Sequence, residues 1–279
     1  MKQNPFSLYD FMGYFIPGAT SIYLIQIVNV IKNSDSIDLA KILTSFPTIR
    51  TEGILIFLIL SYVLGHLISY LSSITIEKYA IWKYGYPSKY LLDINENSYW
   101  TGAKKFHSIF WRISLLILLL PTVTLDFILG KYFGFKNFYS NKLDPMLAKL
   151  IRLKLNRLLI KLGMTQKNGF NKGEGNENDF NRIVLHYTYE NSKSHQSKLT
   201  NYVSIYGFLR TFTLIVNSLF WYFMFHTYLW GDFNSKSILI VMGISIISYI
   251  FFMSFMKFYR RYTLEGLMIL AVDENIICD

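Results

Sequence analysis

The chain has 279 residues, 52% hydrophobic and only 16% charged, with 21 tyrosines, 23 phenylalanines and a net charge of +10. A soluble domain carries about 25% charged residues, and the surplus apolar residues here gather in long runs. An ordinary soluble fold is thereby excluded, and an all-α, polytopic integral membrane helical bundle is predicted. The single cysteine, Cys278, excludes an intrachain disulfide and a cysteine-based zinc site.

In chain order, the opening "MKQNPFSLYDFMGYF" has one lysine and no small-residue cleavage site, so it does not read as a cleaved signal peptide. Runs at 11–31, 53–73, 206–229 and 237–258 are each long enough to cross a bilayer, which needs about 20 apolar residues. The last two are joined by a short loop and predict an antiparallel hairpin. A further segment, 109–133, carries Arg112, Pro121 and Asp126. It reads either as a kinked span or as two half-helices that enter and leave on one side. The distribution of lysine and arginine favours the re-entrant reading, because it keeps the 76–105 loop on the same side as 134–200 and the tail. The prediction is therefore four clear spans plus one re-entrant or fifth segment, divided as 1–133, a cytoplasmic 134–200, a transmembrane hairpin at 201–260 and a cytoplasmic tail at 261–279.

Within 134–200, "NKLDPMLAKLIRLKLNRLLIKLG" predicts a basic amphipathic helix over 141–163. Asp144 is its N-cap, Pro145 its first residue and Gly163 its stop. Lys149, Arg152, Lys154, Arg157 and Lys161 suit either an anionic membrane surface or the solvent face of a helix packed on the bundle. They lack interleaved stacking aromatics, so direct nucleic-acid binding is not expected. Residues 165–181 read as a mobile linker, and residues from about 191 as one long helix entering the membrane. The tail stretch "TLEGLMILAV" is apolar enough to dock, on the chain itself or on a partner.

The chemistry centres on "SYVLGHLISYLSS", residues 61–73. At helical spacing Ser61, Gly65, Ser69 and Ser73 form a small-residue packing stripe. Tyr62, His66 and Tyr70 form a polar stripe beside it, either hydrogen-bonded within the bundle or lining a cavity or pore. Asp126, Asn217 and His226 are the other polar positions assigned to a membrane face. Asp126 must be paired, protonated or wetted at depth, Asn217 serves as interhelical glue, and Arg210 can snorkel to the interface. His186, Glu190 and His195 are the only cluster of metal-ligating types, and a break near 191–194 would be needed to gather them. No nucleotide-binding loop, nucleophile elbow or paired-histidine zinc helix occurs, so no cofactor and no enzymatic activity are predicted.

Three patches, "NPFSLYDFMGYFIPGA", "YGYPSKYLL" and "HYTYENSKSHQSKLTNYVSIYGFLR", resemble small multi-span bacterial membrane proteins encoded in anti-phage defence loci. These are the membrane accessories of type VI-B CRISPR and adenosine-deaminase systems. The resemblance implies a bacterial inner-membrane protein that works with a cytosolic nuclease or deaminase. Its role would be altering membrane permeability or tuning that partner, and no active-site residue carries over. The expectation is an effector in the lipid bilayer, homo-oligomeric through 61–73, that on a cytosolic signal opens a polar path lined by Ser61, His66 and Ser69 with Asn217 nearby, and whose basic insertion and C-terminus are cytoplasmic. The alternatives are a non-conducting tether for a cytosolic partner, and an integral-membrane enzyme built on His186 and Glu190.

Overall fold

The computed structural model describes residues 8–32, 51–94, 98–163, 180–229, 235–274 and 276, and no strand occurs among them. Helix α1 runs from Leu8 to Lys32, with a π-helical turn at Phe11–Phe15. α2 runs from Thr51 to Tyr84, with a second such turn at Ser73–Glu77. Gly85 ends it at φ 81° and ψ 176°, a conformation open to glycine but not to side-chain-bearing residues. Pro87 then opens α3 (Pro87–Leu91). α4 is Phe106–Leu118 and α5 spans 120–132. After a 3₁₀ turn at Phe135–Phe138 come α6 (Pro145–Lys161), α7 (Asn181–Asn191), α8 (Gln196–Leu229) and α9 (Ser235–Val272). Most of the predicted 32–52 loop, the 165–181 linker and the 230–236 turn lie outside the described residues.

Among the described residues, four stretches are long and apolar enough to cross a membrane: Phe11–Asn29, Gly53–Leu91, Lys193–His226 and Ser237–Val272. They correspond to the four predicted spans, but three of them continue far beyond. At 1.5 Å per residue the 38 residues of α9 reach about 57 Å, against about 30 Å of hydrocarbon. No proline interrupts either helix, so the sequence boundaries at 201 and 261 fall inside continuous α8 and α9.

Two cores result. One lies among the spans, where Tyr79, Leu119, Tyr139, Leu214, Tyr249 and Phe252 are buried together. The other lies at the basic end, where Leu91 and Leu92 meet Ile151, Leu155 and Leu158 of α6, Val184 of α7, and Leu267 and Leu270 of α9. The tail stretch thus docks on the chain itself. Lys154, buried on α6, donates to the Asp273 carbonyl at 2.6 Å and also to that of Ile276. The Tyr187 hydroxyl donates to the Asp273 carboxylate at 2.7 Å. Burial, and after it that hydrogen bond, pushes the Tyr187 phenol up to about 12. The tie therefore contributes fully below pH ~10 and is lost only as pH rises through about 12.

The ambiguous segment is broken. α4 and α5 meet at Leu119 with a bend of 85°. Pro121, in the first turn of α5, cannot continue the hydrogen-bond ladder of α4. The Leu118 carbonyl at the break is satisfied from α8, whose Trp221 indole N–H donates to it at 2.8 Å. Both halves then return to one stretch of α2. The Arg112 guanidinium on α4 lies 4.7 Å over the Trp82 ring, while Asp126 on α5 pairs with Lys83. Along a straight helix those fourteen residues would separate the two side chains by about 21 Å. The segment is a hairpin with its tip among the spans.

Candidate functional site

The hairpin brings Asp126 into a cage of hydroxyls. Its side chain is buried, with one carboxylate oxygen accepting from Tyr84 and Tyr139, both at 2.6 Å. The other oxygen accepts from Tyr79 at 3.0 Å and from the Lys83 ammonium. Lys83 also donates to the Tyr79 hydroxyl at 2.9 Å. Tyr79, Lys83 and Tyr84 come from consecutive turns near the end of α2, where residues four apart share a face. Tyr139 comes from the connection after the 3₁₀ turn. Gly130, one turn beyond Asp126, makes room: a Cβ there would stand 2.7 Å from the carboxylate and 3.0 Å from the Tyr139 hydroxyl. Every neighbour is a donor, which suits an ionised carboxylate with both oxygens filled. A carboxylate so saturated is a lock between α2, α5 and the 139 connection.

Two further polar clusters tie the spans. On α8, Arg210 forms an ion pair with Glu77 of α2, donates to Ser72 Oγ at 3.0 Å and lies 3.4 Å from the Ser69 carbonyl. Ser72 in turn meets Thr211 Oγ1 at 3.4 Å. Arg210, at the start of its apolar run, can snorkel to the interface. Instead it points into the α2–α8 contact, because Glu77 lies one π-helical turn past Ser72 and faces it. Deeper in, the Asn217 amide donates to Thr122 Oγ1 at 2.9 Å, to Ser248 Oγ at 2.7 Å and to the Thr213 carbonyl at 2.8 Å. Asn217 is thus the glue predicted for it, joining α8 to the hairpin tip and α9. Replacing Arg210 with methionine is expected to cost about 3–5 kcal/mol, because Glu77 then stays half-buried without its cation. The Glu77→Gln, Arg210→Met double variant should recover part of that loss in thermal melts in detergent.

The 61–73 stretch divides between faces. Ser61 and Gly65 are buried against α1, where the Gly65 backbone meets the Tyr14 carbonyl and Gly18 meets the Ser61 carbonyl. Ser69 is buried beside Arg210. Ser73 is partly exposed and donates to the Tyr70 carbonyl at 2.7 Å. The small-residue stripe is therefore a seam within one chain. Its companions lie at the outer edge of the same contact: Tyr70 is 63% exposed, and the exposed His66 stacks 3.7 Å from the Tyr14 ring of α1 with half-buried Tyr62 edge-on at 4.5 Å. His226 is half-buried beside Tyr222, ring centroids 6.0 Å apart. Ser61 thus faces α1, Ser69 lies beside Arg210, Asn217 at the hairpin tip and Asp126 in the tyrosine cage.

The three metal-ligating candidates are not gathered either. His186 and Glu190 are exposed on α7, while His195, past the break, turns to Glu265 of α9 at 3.1 Å, where Lys198 also donates at 2.8 Å. Among the described residues no group of three histidine, cysteine or acidic side chains is placed to hold a metal. In α6, Asp144 caps the helix as predicted, accepting from the backbone N–H of Met146 at 2.9 Å. Of the five basic residues, Lys154 is buried and Arg152 donates to the Leu92 carbonyl, so these two serve the basic-end core. Lys149 and Lys161 are exposed and Arg157 is half-buried, on the outer side with Met146, Leu150, Leu153 and Ile160.

These features define a polytopic helical membrane protein with four to five apolar membrane segments, one of them a bent helix pair locked by buried polar pairs. No protein-family model, no curated protein and no solved structure matches the chain.

Proposed function

We propose that the chain is a non-conducting integral membrane anchor and regulator of a cytosolic partner, an accessory of a bacterial anti-phage defence system. One observation carries the non-conducting part. Asp126, Asn217 and Arg210 each bind side chains of the same chain, in three separate locks rather than along one polar path. The saturated carboxylate likewise supports a non-enzymatic role. The distribution of positive charge supports a cytoplasmic side for the basic unit formed by α3, α6, α7 and the end of α9, and the inner membrane rests on the sequence resemblance. Its docking surface is the outer stripe of α6. There exposed Met146, Leu150, Leu153 and Ile160 alternate with Lys149 and Lys161, complementary to an acidic and apolar surface. The partner class, a nuclease or deaminase, rests on the sequence resemblance.

A second reading, a homo-oligomeric effector that raises permeability, draws on the outward placement of His66 and Tyr70. Polar side chains facing lipid are costly unless another surface covers them. One experiment separates the two readings. The protein is expressed in bacteria with its genomic neighbour, membrane potential is followed with a voltage-sensitive dye during phage challenge, and the neighbour's co-purification is measured. The anchor reading expects unchanged potential, with co-purification lost in Leu150→Glu, Leu153→Glu. Depolarisation abolished by His66→Leu would overturn it in favour of the effector.

A further inference from the structure

Two cavities meet at Lys83 and Phe127. The first, about 410 Å³, lies inside the hairpin, between Leu116 of α4 and Val123, Phe127 and Ile128 of α5, and its walls are almost wholly apolar. The second, about 580 Å³, opens on the other side of Phe127, between α5 and the stretch at 136–142. Its walls carry Lys83, Lys131, Lys136 and Lys142 against Asp93 and Asp126.

The charges do not cancel. Lys83 is committed to Asp126, and Lys142 pairs with Asp93 at 2.7 Å. Lys131 and Lys136 remain, with no carboxylate within ion-pair distance among the described residues. Lys131 lies 5.4 Å over the Phe127 ring, the wall shared with the apolar cavity. The Asn137 and Asn141 side chains add amide donors. Around the mouth, Tyr132, Phe133 and Phe138 are each about two-thirds exposed or more, at 71%, 67% and 72%. Exposed aromatic rings beside lysines are the composition of a membrane–water interface. Basic pockets between helices at that level take phosphate head groups.

We propose that these two cavities together bind one anionic phospholipid. Its phosphate sits at Lys131 and Lys136, and one acyl chain passes Phe127 into the crevice of the hairpin. The chemistry shared with any soluble phosphate ligand is the doubly lysine-bound anion. What favours a lipid is the apolar cavity reached across a single side chain. Such a lipid would brace the hairpin against the connection that carries Tyr139, whether or not the protein recruits a partner.

The test uses the full-length protein in a neutral detergent. Short-chain phosphatidylglycerol, short-chain phosphatidylcholine and inorganic phosphate are added separately, and native mass spectrometry and thermal melting are recorded. Phosphatidylglycerol should be retained and raise the melting temperature, well above the effect of phosphatidylcholine. The Lys131→Gln, Lys136→Gln variant should bind it about thirtyfold more weakly, and the double arginine variant should bind like wild type. Leu116→Trp, which fills the crevice, should weaken phosphatidylglycerol alone. Each variant's elution volume and helical circular dichroism confirm that it folds. Equal response to inorganic phosphate, with no effect of Leu116→Trp, would overturn the lipid in favour of a soluble phosphate. No preference between the two lipids, or no effect of the double glutamine variant, would overturn the site.

Discussion

Replacing Asp126 with alanine is expected to be the most damaging single change in the hairpin, at about 3–5 kcal/mol. The substitution leaves the Lys83 ammonium partly buried without its counter-ion, and strips three hydroxyls, those of Tyr79, Tyr84 and Tyr139, of their acceptor. Removing one side of a buried ion pair costs more than the pair itself contributes, because the remaining charge stays desolvated. The Tyr84 and Tyr139 hydroxyls, 3.1 Å apart, can still pair with each other, which limits the further cost of their lost acceptor. The melting temperature in detergent, followed by tryptophan fluorescence, should fall by about 10 °C. Asp126→Asn should fall less, since an amide oxygen still accepts from two tyrosines while the charge on Lys83 goes unmatched. The Lys83→Met, Asp126→Leu pair should recover much of the loss, because it removes both charges. A melting temperature unchanged in Asp126→Ala would show that the cage holds nothing together.

Gly18→Leu is the second large effect. At this crossing a Cβ would fall within the van der Waals radius of the Ser61 carbonyl, a backbone atom that cannot step aside. On the facing helix the same holds for Gly65 against the Tyr14 carbonyl. Small residues permit close backbone approach in lipid, and a side chain there forces the helices apart. The cost is about 3 kcal/mol or more, at the upper end for overpacking. The loss should extend to function, because α1 would separate from the rest of the bundle. Gly243→Leu is the control: its added side chain meets open space, so its melting temperature should stay within about 2 °C of wild type. A disulfide trap across the α1–α2 contact would read the separation directly.

Local chemistry was legible in the sequence. The four long apolar runs needed only hydropathy. Asp144–Pro145 announced the start of α6 because capping is decided within three residues. Pro121 announced a break because it removes a donor wherever it sits. The partners of the buried charges were not legible. Asp126 offered Arg112 on its own segment and several lysines in the following and preceding loops, and nothing in the spacing selects Lys83, which is 43 positions away. Glu77 and Arg210 are separated by 133 positions. Each becomes a partner only once the hairpin folds back and α8 packs on α2. The same holds for His66. Its helical stripe was visible, but its place at the edge of the α1 contact, stacked on Tyr14, is set by the close approach at Gly18 and Gly65.

The bent pair is expected to be re-entrant, so that the lysines of the 98–105 loop, the cage around Asp126 and the basic unit share one side of the membrane. Cysteine accessibility tests this directly. Lys104→Cys and Lys136→Cys would be made separately in a Cys278→Ser background and labelled with a membrane-impermeant maleimide in inside-out and right-side-out vesicles. Both positions are exposed and flank the hairpin. Labelling of both from the same face, shared with Lys193→Cys on the basic unit, is the predicted result. Labelling of Lys104→Cys and Lys136→Cys from opposite faces would make 106–132 a spanning segment and contradict the account.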